Sequence, residues 1–83
     1  SKDKILLTDK FNFEHFKNSI VKDLNKKKEV NFILIDGLRI NYKCGSWIHI
    51  RKSNTEPVIR LIIESKTKQK IQDLKDFINL YIK

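Results

Sequence analysis

Three segments between residues 38 and 64 place apolar residues at every second position, and this period of two constrains the fold more than any other feature of the chain. Leu38, Ile40 and Tyr42 alternate with Arg39, Asn41 and Lys43. Ile48 and Ile50 alternate with Trp47, His49 and Arg51, and Ile59, Leu61 and Ile63 alternate with Arg60 and Glu64. Successive side chains of a strand point to opposite faces, so each segment is predicted as a strand with one apolar and one wet face. Ahead of them, residues 30–35 form a nearly continuous apolar run that predicts a central strand. It ends in Asp36-Gly37, the dipeptide favoured in type I′ hairpin turns. Cys44-Gly45 marks the next turn. Together these segments predict a four-stranded antiparallel meander.

Helical periods flank the meander. Phe13, Phe16, Ile20 and Leu24 recur at intervals of three and four, with Asn12 or Asp9 as the candidate N-cap and the run Lys26-Lys27-Lys28 closing the C-terminal end, where cations suit the dipole. His15 falls off the apolar stripe and reads as exposed. A second helix from Thr67 carries Ile71, Leu74, Ile78 and Tyr81 on one stripe, with Phe77 and Ile82 beside it. Residues 4–8, ended by the polar pair Thr8-Asp9, read as one more strand. The expected class is α+β, an antiparallel sheet with two helices on one face, in the order β-α-β-β-β-β-α.

At 83 residues the chain is expected to be a single domain, residues 1–83, near the size where one core just suffices. It begins without Met, which fits a piece of a longer protein. No apolar run approaches the roughly 20 residues of a membrane span, and no signal-peptide pattern opens it. A single cysteine, Cys44, cannot pair within the chain and has no His or Cys at metal-ligand spacing; a free thiol in the cytoplasm is expected. The net charge of +8 favours anionic partners without choosing among them. Most of it reads as a lysine-rich surface, including Lys66, Lys68 and Lys70, which oppose the dipole at the start of the last helix.

Between two of the predicted strands lies Arg51-Lys52-Ser53-Asn54-Thr55-Glu56-Pro57, which gathers oxyanion-binding groups in one short loop. Arg51 offers a planar fork of donors, Ser53 and Thr55 offer hydroxyls, and Asn54 offers an amide and tolerates a left-handed backbone. Successive backbone N–H groups of such a turn can form an anion-binding concavity, and Pro57 stiffens its exit. The same residue types also make ordinary surface turns.

Asp36-Gly37-Leu38-Arg39-Ile40, then the stretch from Trp47 through Arg51-Lys52-Ser53-Asn54-Thr55-Glu56-Pro57 to Val58-Ile59-Arg60-Leu61, then Glu64, together resemble the C-terminal domain of the α-D-phosphohexomutases. That family includes phosphomannomutase, phosphoglucomutase and the phosphoglucosamine mutases. The matching pattern covers about a third of the chain. The resemblance implies a fold like that of the TATA-box-binding protein and a place as the fourth domain of a longer enzyme. Such enzymes move a phosphoryl group between the 1- and 6-positions of a hexose through a bisphosphate intermediate and a phosphoserine.

Carried over by motif position, Arg51, Ser53, Asn54 and Thr55 are the expected ligands of the substrate phosphate, with Glu56, Arg60 and Lys52 in support. Glu56, which would repel phosphate, is expected to pair with Arg39 or Arg60. Lys52 stands where the family commonly has proline or a small residue, and either adds field or points to solvent. The family's catalytic-serine, Mg²⁺ and sugar-reading loops have no counterpart here. This domain is therefore expected to hold no catalytic residue, metal or cofactor, and the Mg²⁺ belongs to another domain.

The expected partners are a hexose phosphate, its bisphosphate intermediate and the upstream domains, with no membrane. The Asn54 form of the loop is closest to phosphomannomutases and phosphoglucomutases, so mannose or glucose phosphate is expected. Trp47 reads as packing surface toward a neighbouring domain and His49 as neither acid nor base. Two other readings stand beside this one. A sheet face carrying Arg39, Lys43, Trp47, Arg51 and Arg60 could bind nucleic acid, although it offers one stacking aromatic and leaves the loop unexplained. A sugar-phosphate-sensing domain without catalysis would use the same loop.

Overall fold

The computed structural model describes residues 1–8, 10–27 and 29–82. Asp9 as an alternative helix cap, the end of the Thr8-Asp9 pair, and Lys28 in the lysine run lie outside them. Among the described residues the order is β1 (Lys2–Leu6), α1 (Phe13–Leu24), β2 (Val30–Ile33), β3 (Leu38–Tyr42), β4 (Trp47–Lys52), β5 (Val58–Glu64) and α2 (Lys68–Asn79). This is the expected α+β order. The strands form one antiparallel sheet, β1-β5-β4-β3-β2.

Helix α1 starts where Asn12 Oδ1 accepts the N–H of His15, and α2 where Thr67 Oγ1 accepts the N–H of Lys70. Each cap satisfies one amide that the first turn leaves unpaired. Phe16, Ile20 and Leu24 of α1, with Leu74 and Ile78 of α2, share one core with Leu38, Ile40, Ile48, Ile50, Ile59, Leu61 and Ile63 of the sheet. His15 is exposed. Among the described residues no helix covers the opposite face of the sheet, which presents the polar partners of the alternation. No helix of the described residues is long and apolar enough to cross a membrane.

Four local expectations need correction. The first strand runs over Lys2–Leu6, two residues earlier than residues 4–8. Strand β2 is an edge and not a central strand. Its apolar run is not buried on both faces: Val30 and Phe32 are half-buried, while Ile33, Leu34 and Ile35 are 44%, 59% and 80% exposed. Asp36 and Gly37 both have positive φ, 56° and 107°, as a type I′ turn requires. Yet Ile33 pairs with Arg39, which leaves residues 34–38 between the paired positions rather than a two-residue turn. Finally, Tyr81 lies beyond the end of α2, packed on the core, with its hydroxyl donating to Asp23 of α1. Burial and that bond push the Tyr81 hydroxyl up to about 12.

Candidate anion-binding site

The end of β4 and the start of β5 bring cations together on the helix-free face. Arg51 stands directly opposite Arg60, and Arg60 opposite Lys4 of β1, so three positive side chains form a row across three neighbouring strands. Like charges in direct cross-strand positions are destabilising, by a few tenths of a kcal/mol to about 1 kcal/mol each. Two carboxylates offset part of this. Glu56 Oε1 lies 3.8 Å from Arg60 Nη2, and Asp36 Oδ1 lies 3.5 Å from Arg51 Nε. About half of each of these side chains is exposed, so each pair contributes at most about 1 kcal/mol.

The connection between β4 and β5 is held by its own polar groups. Ser53 donates its N–H to Val58 O at 3.0 Å, and Val58 donates its own to Glu56 O at 2.8 Å. Leu7 donates to Pro57 O at 2.7 Å, which ties the loop to the chain leaving β1. Ser53 Oγ accepts the N–H groups of Thr55 and Glu56, each at 3.3 Å, and lies 3.4 Å from Thr55 Oγ1. The backbone amides of Thr55 and Glu56 therefore turn inward to Ser53, and the expected concavity of successive N–H groups does not form from them. With two amides on its oxygen, the Ser53 hydroxyl has only its hydrogen left to offer, and Thr55 Oγ1 is its near partner. Among the described residues the non-glycine with positive φ is Asp36, so Asn54 does not use the left-handed backbone expected of it.

Arg51, Lys52, Ser53, Asn54 and Arg60 line a cavity of about 220 Å³ beside this loop. It takes in three of the four expected ligands. Thr55 is exposed next to it and touches it through Ser53. Glu56 chooses Arg60 over Arg39, and Lys52 is exposed. Arg39 instead lies over the Trp47 ring, 4.2 Å from its centre, and donates from Nε to Asn41 Oδ1 at 3.0 Å. Trp47 Nε1 donates to Glu64 Oε2 at 2.7 Å, so the indole is fixed by its cross-strand neighbour. His49 Nε2 lies 3.4 Å from Asp36 O. Lys4 and Asp36 were not readable as members of this site. Both needed the register between distant strands, which local alternation does not carry.

Among the described residues no group of three or more His, Cys, Asp or Glu could hold a metal ion. The two carboxylates at the site each face an arginine, so neither contributes to the oxygen cage that Mg²⁺ requires. Cys44 is exposed, and the Ser46 hydroxyl 3.4 Å away holds its thiol below the ordinary value.

Residues 5–80 match the family model of the phosphoglucomutase/phosphomannomutase C-terminal domain. The "Probable phosphoglucosamine mutase" of Methanosphaera stadtmanae is 32% identical over 72 residues, 80% of this chain and 16% of that protein. The phosphopentomutase of Thermococcus kodakarensis is 47% identical over 47 residues, 57% of this chain and 10% of that protein. The phosphomannomutase/phosphoglucomutase of Pseudomonas putida is 42% identical over 48 residues, 58% of this chain and 10% of that protein. The chain thus spans under a fifth of the length of each of these relatives. With nearly its whole length matched, in the order of elements and with the loop described above, the chain belongs to the phosphoglucomutase/phosphomannomutase C-terminal domain family.

Proposed function

We propose that this chain holds the non-reacting phosphate of a sugar phosphate, as the fourth domain of a phosphohexomutase whose other domains lie upstream. The observation that carries this reading is the facing pair Arg51 and Arg60, extended by Lys4, beside a cavity lined with Ser53 and Asn54. A row of cations has a cost that a bound dianion would relieve. Arg51 is the principal ligand, because it combines full charge with a fork that matches two phosphate oxygens. Ser53, Asn54 and Thr55 add neutral donors, Arg60 adds field and is aimed by Glu56, and Lys52 adds charge at the rim.

This is catalysis by positioning. Gripping one phosphate sets the opposite end of the sugar in line with a phosphoserine supplied by another domain, and such orientation is worth several kcal/mol in intramolecular models. The 1- and 6-phosphates exchange through a bisphosphate, so the same grip serves twice with the sugar reversed. Mg²⁺ would assist the transfer from another domain. The proposed substrate is mannose or glucose phosphate, and the proposed location is the cytoplasm. A site that touches only the distal phosphate does not sense the C2 substituent; in the longer enzyme, a kcat/KM for glucosamine phosphate tenfold above those for the mannose and glucose phosphates would overturn that choice. Binding of nucleic acid fits less well, since Arg39 already occupies one face of Trp47.

Titrating the 83-residue chain with mannose 6-phosphate, with mannose as control, tests the site by NMR. One phosphate contact alone implies a millimolar Kd, about 4 kcal/mol. Shifts are expected at Arg51, Ser53, Asn54 and Thr55 with the phosphate ester only. They should vanish in Arg51→Ala and weaken several-fold in Arg51→Lys, which keeps the charge and loses the fork. Equal shifts with unphosphorylated mannose, or none at the loop, would refute the assignment.

A further inference from the structure

The tip of the β2–β3 hairpin leans on the outward residues of β4, and it does so at Arg51. Because Leu38 pairs with Ile50, the residues just before Leu38 run on toward the Arg51 end of β4. Gly37 lies so close there that a Cβ would overlap Ile50 O and stand 3.3 Å from Arg51 Cα. Asp36, in the left-handed region at φ 56°, then turns its two acceptors onto β4. Its carbonyl is 3.4 Å from His49 Nε2, and its carboxylate is 3.5 Å from Arg51 Nε. His49 and Arg51 are successive outward residues of one strand, so a single turn residue touches both.

We propose that Asp36 is a positioning residue for Arg51. This role rests on the phosphate-holding reading above: the orientation of the Arg51 guanidinium is set by a turn that the sequence presents as a simple hairpin. A carboxylate at Nε leaves both terminal nitrogens of the guanidinium for a phosphate. It also removes rotamer freedom that Arg51 would otherwise lose on binding. The cost is one negative charge near the ligand. Coulomb repulsion and positioning therefore predict opposite signs for Asp36→Asn. If the carboxylate were only a neighbouring charge, its removal would tighten phosphate binding. If it positions Arg51, its removal weakens binding although a negative charge has gone.

Asp36→Asn is a favourable probe because Asn tolerates the left-handed backbone as well as Asp does, so the hairpin is retained. Two measurements on the 83-residue chain decide the matter. Without any ligand, the Arg51 Nε–Hε resonance should show a rigid side chain in the unchanged protein and a mobile one in Asp36→Asn. This readout is independent of phosphate binding. With inorganic phosphate at low salt, Asp36→Asn should raise the Kd about three- to tenfold, while Asp36→Glu recovers part of the loss. An Arg51 side chain equally mobile in both proteins, or a Kd that is unchanged or lower in Asp36→Asn, would overturn the positioning role. If Arg51 is rigid through Asp36 and yet phosphate shifts nothing at the loop, the phosphate-holding reading fails and the orientation of Arg51 stands.

Discussion

At Gly37 two demands fall on one residue: a backbone at φ 107° and contact with the main chain of β4 at Ile50. Gly45 faces only the first, at φ 98°, with open space where a Cβ would stand. The two glycines form a controlled comparison. Gly45→Ala should cost the conformational term alone, about 1 kcal/mol. Gly37→Ala adds an overlap with backbone that cannot rotate away, and about 2–4 kcal/mol is expected. For a domain of this size that is a fall in Tm of roughly 8–32 °C, against about 4–8 °C for Gly45→Ala. Equal melting temperatures would show that the hairpin does not press on β4. The Asp36-Gly37 turn was legible as a turn from its dipeptide alone. What it leans on was not, because a turn signal describes a few residues and the contact depends on the pairing of β3 with β4.

For elements, the period of two and the period of 3.6 were enough to give type and order; Asn12, one of two candidate caps, caps the first helix, and the second starts after Thr67, where the period placed its beginning. Position within the sheet was harder to read. The apolar run at residues 30–35 looks like a strand covered on both faces, yet β2 is an edge whose last apolar residues are exposed. Hydrophobicity reports that a segment can be buried, and the closure of the sheet by β1 on β5 decides which segments are.

The same topology places the lysines at and just before the start of α2. Arg60 is near the start of β5 and Lys66 follows its end; the six steps from Val58 to Glu64 span on the order of 20 Å. Lys70 stands at the far end of the sheet, 5.9 Å from the centre of the Tyr42 ring. At physiological ionic strength the screening length is about 8 Å, so these charges add little field at Arg51. Replacing Lys66, Lys68 and Lys70 together by Gln should leave the Kd for phosphate at 0.15 M salt within about twofold. It should also stabilise the helix by a few tenths of a kcal/mol for each charge removed from the first turn. A several-fold loss of phosphate affinity would show that the cluster belongs to the site.

Across the whole molecule, the first strand and the last helix are joined by Asp3 and Lys75, 2.8 Å apart. That hydrogen bond holds the Asp3 carboxyl below its ordinary value of 3.8. The sign follows from the direction of the shift. A carboxyl whose folded value is lowered stabilises the fold above its unfolded value, and the contribution is lost as the pH falls from about 4 through the lowered value. The pair is partly exposed, so the effect is small, under about 1 kcal/mol. Asp3→Asn should remove it at neutral pH and flatten that part of the acid limb; a mutant with the same stability at pH 7 and the same acid limb would exclude the link. The larger consequence concerns activity. On the proposed reading the chain grips one phosphate, and among its described residues no group of three or more His, Cys, Asp or Glu could hold a metal ion beside it. Positioning accelerates a reaction only when the group being positioned against is present. The 83-residue chain is therefore expected to fold and to bind phosphate weakly, yet to convert no hexose 1-phosphate to the 6-phosphate, with or without Mg²⁺ and hexose bisphosphate. Binding and turnover should separate cleanly in a coupled assay, and any turnover above the uncatalysed background that Arg51→Ala removes would mean that the chain holds catalytic groups of its own.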